Sequence, residues 1–263
     1  MTRCSPILAW RGTWGKRAMT DFAFLHGGGQ GSWIWNETIA AIAMQSGGGA
    51  RCLAIDVPGC GKKRERDTSA IDMHDIGKEL VADIEAAGMK DVVLVGHSQA
   101  GSSLPIMAEI KPELFRRLIY VTCLASPPGR TSLEIMGNCR QGESDTEVGW
   151  PVDPQTATLA ERFRAMFCND MAHEEGDAFL SKLGKDSWPM QSYGYNQWRY
   201  DHLADIAGTY VICLRDQSLP PTWQLRFAER FHANRLVHID AGHQVMNTRP
   251  HTLAEVVLAE SRG

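Results

Sequence analysis

Short apolar runs rich in β-branched residues alternate along the chain with longer segments whose apolar positions recur at helical spacing. The runs at 22–25, 51–56, 92–95, 118–122, 210–214 and 236–239 predict six strands. The segments at 33–45, 72–87, 99–110, 223–231 and 250–260 predict helices, the last opening on Pro250, which suits a first helical turn. Strand and helix in alternation is the sequence form of an α/β protein with a doubly wound parallel sheet. Right-handed crossovers bring all strand C-termini to one edge, so residues just past different strands converge there.

One strand ends in a chemically loaded turn. In Val92-Val93-Leu94-Val95-Gly96-His97-Ser98-Gln99-Ala100-Gly101 the apolar run stops at Gly96 and a helix-compatible stretch starts at Gln99. Small residues two before and two after Ser98 are what a sharp strand-to-helix turn needs where the two elements nearly touch, and such a turn projects the serine hydroxyl. Ser98 is therefore the candidate nucleophile; its bland alternative is a helix-capping serine. The strand at 236–239 runs into Asp240-Ala241-Gly242-His243, making His243 the candidate base, and the strand at 210–214 ends in Arg215-Asp216-Gln217, making Asp216 the candidate orienting acid. Asp240 is the competing acid, worse placed because it precedes the loop's turn. The first strand breaks into His26-Gly27-Gly28-Gly29-Gln30-Gly31, which lacks the spacing of a phosphate-binding loop. Backbone N–H groups of Gly28 and Gln99 can instead form an oxyanion hole, each such donor being worth roughly 3–4 kcal/mol of barrier.

The pieces FAFLHGGGQGSWIW, AIDVPGCG, VVLVGHSQAG, RDQSLPPTWQ and DAGHQVMNTRP together resemble the α/β-hydrolase superfamily, and within it the compact group of plant methylesterases, hydroxynitrile lyases and bacterial pyrethroid-hydrolase-like esterases. The resemblance implies the α/β-hydrolase fold, with the six-stranded sheet and a helical cap inserted after the fourth strand. It also implies the chain order Ser98, Asp216, His243 for a catalytic triad. Lyases of this group carry a lysine after the catalytic histidine and a hydroxyl residue after the first-loop histidine. Here those positions are Gln244 and Gly27, which disfavours lyase chemistry. The expected activity is serine hydrolysis of a carboxylic ester through an acyl-enzyme. An aromatic methyl carbamate is the alternative substrate, and a ligand receptor without turnover is the reading from another class.

The predicted organisation is a core over residues 19–125 and 209–263 with a cap over 126–208, a segment too long for a plain loop. The cap holds Trp150, Phe163, Phe167, Phe179, Trp188, Tyr193, Tyr195, Trp198 and Tyr200. Most of these are expected in its own core, the rest in an apolar pocket. The expected substrate-binding residues are Gly27, Trp33, Leu124, Trp150, Trp188, Trp198 and Met246. Residues 1–18 read as an N-terminal extension, disordered or, alternatively, an arm packed through Trp10 and Trp14.

Composition narrows the partners. A net charge of −4 with no basic block argues against nucleic acid, and no apolar run approaches the ~18 residues of a membrane helix. Seven cysteines without C-x-x-C spacing suggest a reduced, cytoplasmic protein rather than a disulfide scaffold, with Cys52, Cys123 and Cys213 as small core residues. His232, His238 and His243 lack partners at metal-ligand spacing, so neither a metal nor a cofactor is expected. His97 and His26 read as structural hydrogen-bonding residues, and Asp56 as the organiser of the Pro58-Gly59 turn. A small-molecule substrate is the expected partner, and homodimerisation is the one protein partnership left open.

Overall fold

The computed structural model describes residues 19–262, so the expected extension at 1–18 lies outside the described residues. Six strands form one sheet: β1 (Thr20–Leu25), β2 (Ala50–Ile55), β3 (Val92–His97), β4 (Phe115–Val121), β5 (Ala207–Cys213) and β6 (Arg235–Ile239). Their spatial order is β2-β1-β3-β4-β5-β6, and every pair is parallel. All six predicted strands are present, with bounds moved by a few residues.

The central strands read as near-continuous apolar runs because both faces of the sheet are covered. One face carries Phe22, Phe24, Val93, Val95, Ile119, Val121 and Val211, packed against α1 (Asn36–Ser46) and α9 (Pro250–Glu260) through Ile42, Leu253 and Val257. The alternate residues Ala23, Leu25, Leu94, Leu118, Tyr120 and Ile212 face α2 (Met73–Ala86), α3 (Leu104–Ile110) and α7 (Pro221–Arg230). Period-two alternation thus divides two apolar layers rather than an inside from an outside. Asp72 caps α2 by accepting from the Asp75 N–H at 2.8 Å.

The helix expected over 99–110 is split. Residues Ser98–Ser102 form a 3-10 turn, and α3 begins only at Leu104. Pro105 explains the break: with no N–H it cannot bond back to the preceding turn, so it sits in the first turn of a new helix.

Between β4 and β5 the chain makes α4 (Ser132–Met136), α5 (Leu159–Phe167) and α6 (His173–Leu180), followed by two 3-10 turns. Thr131 with Glu134 and Thr158 with Glu161 form reciprocal capping boxes that start α4 and α5. Polar anchors tie this inserted segment to the loops after β1 and β2 and close it on itself. Buried Asp186 accepts from Trp33 Nε1 at 3.1 Å, Gly61 N at 2.9 Å and Arg64 Nε at 2.8 Å. Tyr200 donates its hydroxyl to the Ser126 carbonyl at 2.8 Å. A short α8 (Val245–Thr248) leads into α9. Among the described residues no helix is long and apolar enough to cross a membrane, and the six described cysteines are free.

Candidate active site

Ser98 follows the last residue of β3 with φ at +55°, a left-handed conformation that non-glycine residues adopt only when their surroundings enforce it. Close packing enforces it here. A Cβ on Gly96 would lie 2.6 Å from Leu104 Cδ1, and one on Gly101 would lie 2.1 Å from the Leu124 carbonyl oxygen. The Ser98 carbonyl accepts from Leu124 N at 3.0 Å. On the other side, a Cβ on Gly27 would come within 2.9 Å of Ser98 Cβ, so the end of β1 lies directly against the serine.

The three residues expected from different strand ends meet. Ser98 Oγ donates to His243 Nε2 at 3.0 Å, and His243 Nδ1 donates to Asp216 Oδ2 at 2.7 Å. His243 and Asp216 are buried, whereas Ser98 borders a cavity. Asp216 has its remaining acceptor capacity filled: Oδ1 takes Ser218 N at 2.7 Å and Leu219 N at 2.9 Å, and Oδ2 also takes the Thr122 hydroxyl at 2.5 Å. Such a carboxylate is fixed in place and can orient an imidazole. Asp240, the competing acid, instead pairs with Arg215 Nε at 2.7 Å, and its side chain is 75% exposed.

Buried His97 supports the base from beneath. Its Nε2 donates to the His243 carbonyl at 3.0 Å, and the two rings lie 4.6 Å apart. Burial, reinforced by His243 nearby, holds the His97 imidazole well below its ordinary titration range. The loop of His26 follows the same logic. Its Nδ1 donates to the Gly27 carbonyl at 2.8 Å while Nε2 accepts from Val57 N at 3.2 Å, a pattern only the neutral ring satisfies. Burial lowers this histidine's titration too. Asp56 accepts from Ser32 N at 2.6 Å and Lys62 N at 3.1 Å, which fixes the turn it was expected to organise.

A cavity of about 380 Å³ opens over Ser98, and its wall is mostly apolar. Gly28, Gln99, Leu124 and Trp150 line it, as the sequence suggests. Above Gly28 the space is taken by the Gln99 carboxamide, because a Cβ there would fall 2.1 Å from Gln99 Oε1. The other expected lining residues lie elsewhere, for identifiable reasons. Trp33 turns its indole N–H to Asp186 and its ring to Phe179. Trp188 is buried and donates to the Gly27 carbonyl at 3.3 Å, and Trp198 donates to the Arg130 carbonyl at 2.8 Å. A buried indole usually satisfies its N–H; the Trp188 bond ties the insert to the loop after β1, and the Trp198 bond closes the insert on itself. Met246 fills the core layer under α1 and α9, and Gly27 backs the serine.

The wall is completed by Leu133, Met136, Phe163, Met166, Phe167, Leu183, Tyr193 and Leu219. Most of these belong to the insert. Phe163, Phe167 and Tyr193 come from the aromatic set expected to share out between the insert's own core and a pocket, whereas the aliphatic and methionine residues were missed, together with Thr122. The T-x-x-E boxes at 131–134 and 158–161 were the available signal, since they start the two helices that carry much of this wall. Among the described residues no group of His, Cys, Asp and Glu is arranged to hold a metal ion.

Comparison with known proteins agrees with this fold. The sequence profile described as "Alpha/beta hydrolase family" matches residues 22–256. The chain is 23% identical over 255 residues to Methylesterase 7 of Arabidopsis thaliana, covering 92% of this chain and 96% of that relative. It is also 23% identical over 261 residues to polyneuridine aldehyde esterase of Rauvolfia serpentina, covering 90% and 94%. Among solved structures, a pyrethroid hydrolase from Sphingobium faniae JZ-2 superposes with a TM-score of 0.72 at 23% identity, over 94% of this chain and 98% of that one.

Proposed function

The chain belongs to the alpha/beta hydrolase family, and on that premise we propose that it is a serine esterase. It cleaves a carboxylic ester of a small, apolar or aromatic substrate through an acyl-enzyme. The observation that carries this reading is the Ser98 hydroxyl, 3.0 Å from His243 Nε2 at the wall of an apolar cavity. Relatives named as esterases support it.

In the forward half-reaction, Ser98 Oγ attacks the ester carbonyl carbon and its proton passes to His243 Nε2. Asp216 holds the Nδ1–H tautomer and stabilises the imidazolium. The Gly28 and Gln99 backbone N–H groups receive the carbonyl oxygen as it becomes negative. The C–O bond to the alcohol breaks, and His243 returns the proton to the departing oxygen. Water then repeats the sequence on the Ser98 ester: His243 takes one water proton, the hydroxide oxygen bonds the acyl carbon, and Ser98 leaves reprotonated. No cofactor is needed for this balance. A neutral Gln244, fully buried, supplies no cation for a departing cyanide, so hydrolysis is favoured over lyase chemistry. The free cysteines suit a reducing, cytoplasmic setting.

The test is a panel of aryl and alkyl esters, aromatic methyl carbamates and lactones, assayed with wild type and Ser98→Ala. Ester turnover that falls by about 10⁴-fold or more in kcat in the variant is expected. Turnover at the wild-type rate in Ser98→Ala removes the nucleophile assignment. Faster turnover of carbamates than of esters moves the substrate class, and saturable binding without product marks a receptor instead.

A further inference from the structure

The C-terminal end of α5 does more than wall the cavity. Immediately after it, Asn169 Nδ2 donates to the carbonyl of Arg215 at 2.7 Å, one residue before Asp216. Asp170 Oδ2 accepts from the backbone N–H of Gly242 at 2.7 Å, one residue before His243, and from the Thr248 hydroxyl at 3.1 Å. The Asp170 side chain is 1% exposed, and its nearest cation, Arg215 Nη2, stands 3.9 Å away. Phe167 lays its ring 5.5 Å from the His243 imidazole. Two consecutive residues of the insert therefore grip the backbone just ahead of two residues of the Ser98–His243–Asp216 array.

The fit is close on both sides. A Cβ on Gly242 would lie 2.5 Å from Asp170 Oδ1 and 2.6 Å from Asn169 Oδ1, so only glycine allows this approach. The two gripped loops also touch each other, since Arg215 N donates to the Ala241 carbonyl at 2.9 Å. A buried carboxylate that spends its bonds on a loop N–H, rather than on a full ion pair, is a costly arrangement for stability alone.

We propose that Asn169 and Asp170 form a positioning latch, holding the loops of Asp216 and His243 in the register at which the imidazole reaches Ser98. The inference rests on the serine-hydrolase reading. It makes the insert part of the catalytic assembly: α5 presents Phe163, Met166 and Phe167 to the substrate cavity, and the next residues set the imidazole.

The experiment uses an alkyl fluorophosphonate, on which Ser98 Oγ displaces fluoride from phosphorus while its proton leaves through His243. Labelling rates are compared for wild type, Asp170→Ala, Asp170→Asn and Asn169→Ala, with kcat and KM for the best ester beside them. Asp170→Ala is expected to slow labelling and kcat about 100-fold with KM within about threefold, the signature of a misplaced imidazole. Asp170→Asn keeps an oxygen acceptor for Gly242 N–H and is expected to recover to within about fivefold of wild type. Asn169→Ala, at an exposed position, is expected to lose about fivefold and carries the test should Asp170→Ala fail to fold. Wild-type labelling rates in both alanine variants overturn the latch, as does Asp170→Asn slowed as much as Asp170→Ala. Absence of labelling at Ser98 in the wild type itself removes the hydrolase reading beneath it.

Discussion

Thr122 sits one residue beyond β4 with φ at +39°, a left-handed backbone unusual for a β-branched residue, and donates its hydroxyl to Asp216 Oδ2. Its backbone N–H is held by the Val211 carbonyl at 3.0 Å, so the position is fixed from both ends. Thr122→Val keeps the shape and removes one donor from a buried carboxylate. It is expected to cost about 1–2 kcal/mol of stability and to lower kcat about tenfold with KM little changed, read from urea unfolding and steady-state kinetics on one ester. Thr122 was not legible beforehand because nothing in a strand-ending threonine marks which carboxylate it meets across the sheet. Ser98, His243 and Asp216 were legible because each follows a strand end in a recognisable turn. Trp33, Trp188 and Trp198 misled for a related reason, while Trp150 did not: an indole in a pocket and an indole tying down a loop look alike until the partner of its N–H is known.

At the level of elements, the central strands were plain because burial on both faces leaves unbroken apolar runs, and the helices of the sheet layers because their apolar faces repeat. The insert was opaque for a physical reason. Its helices run for 5, 9 and 8 residues, shorter than the roughly 11–18 residues over which helical periodicity is read, so the apolar face of α5 is too brief to define it and the caps carry more. That makes the Thr158–Glu161 box a sensitive point. Thr158→Ala is expected to weaken α5 by about 1 kcal/mol and to raise amide exchange over residues 159–170 while leaving β3 and β4 protected. Hydrogen-exchange mass spectrometry reads both regions at once, and equal exchange in variant and wild type would show that packing, not the cap, holds this helix.

For the molecule as a whole, two buried histidines, His26 and His97, tie stability to acidity. His26 and His97 both titrate below their ordinary range when folded, chiefly because burial penalises the charged ring, although the bond to the Gly27 carbonyl and then Asp56 pull His26 part of the way back. In the unfolded chain both imidazoles take up protons near pH 6.5, so below that value the unfolded state binds more protons than the folded one. Unfolding free energy is therefore expected to fall as pH drops from 6.5, by about 1.4 kcal/mol per pH unit for each ring, until the folded rings themselves protonate. Above pH 7 these two groups contribute no slope. Urea unfolding at steps from pH 7.5 to 5 measures this, and His97→Gln, which removes one titrating ring and keeps a donor for the His243 carbonyl, should reduce the slope by about one ring's share. The same neutrality matters for the chemistry, because a charged ring 4.6 Å from His243 would oppose the imidazolium that must form there. If the slope is unchanged in the variant, His97 is charged or already solvated in the folded protein. Its place beneath the base would then weaken proton transfer rather than permit it.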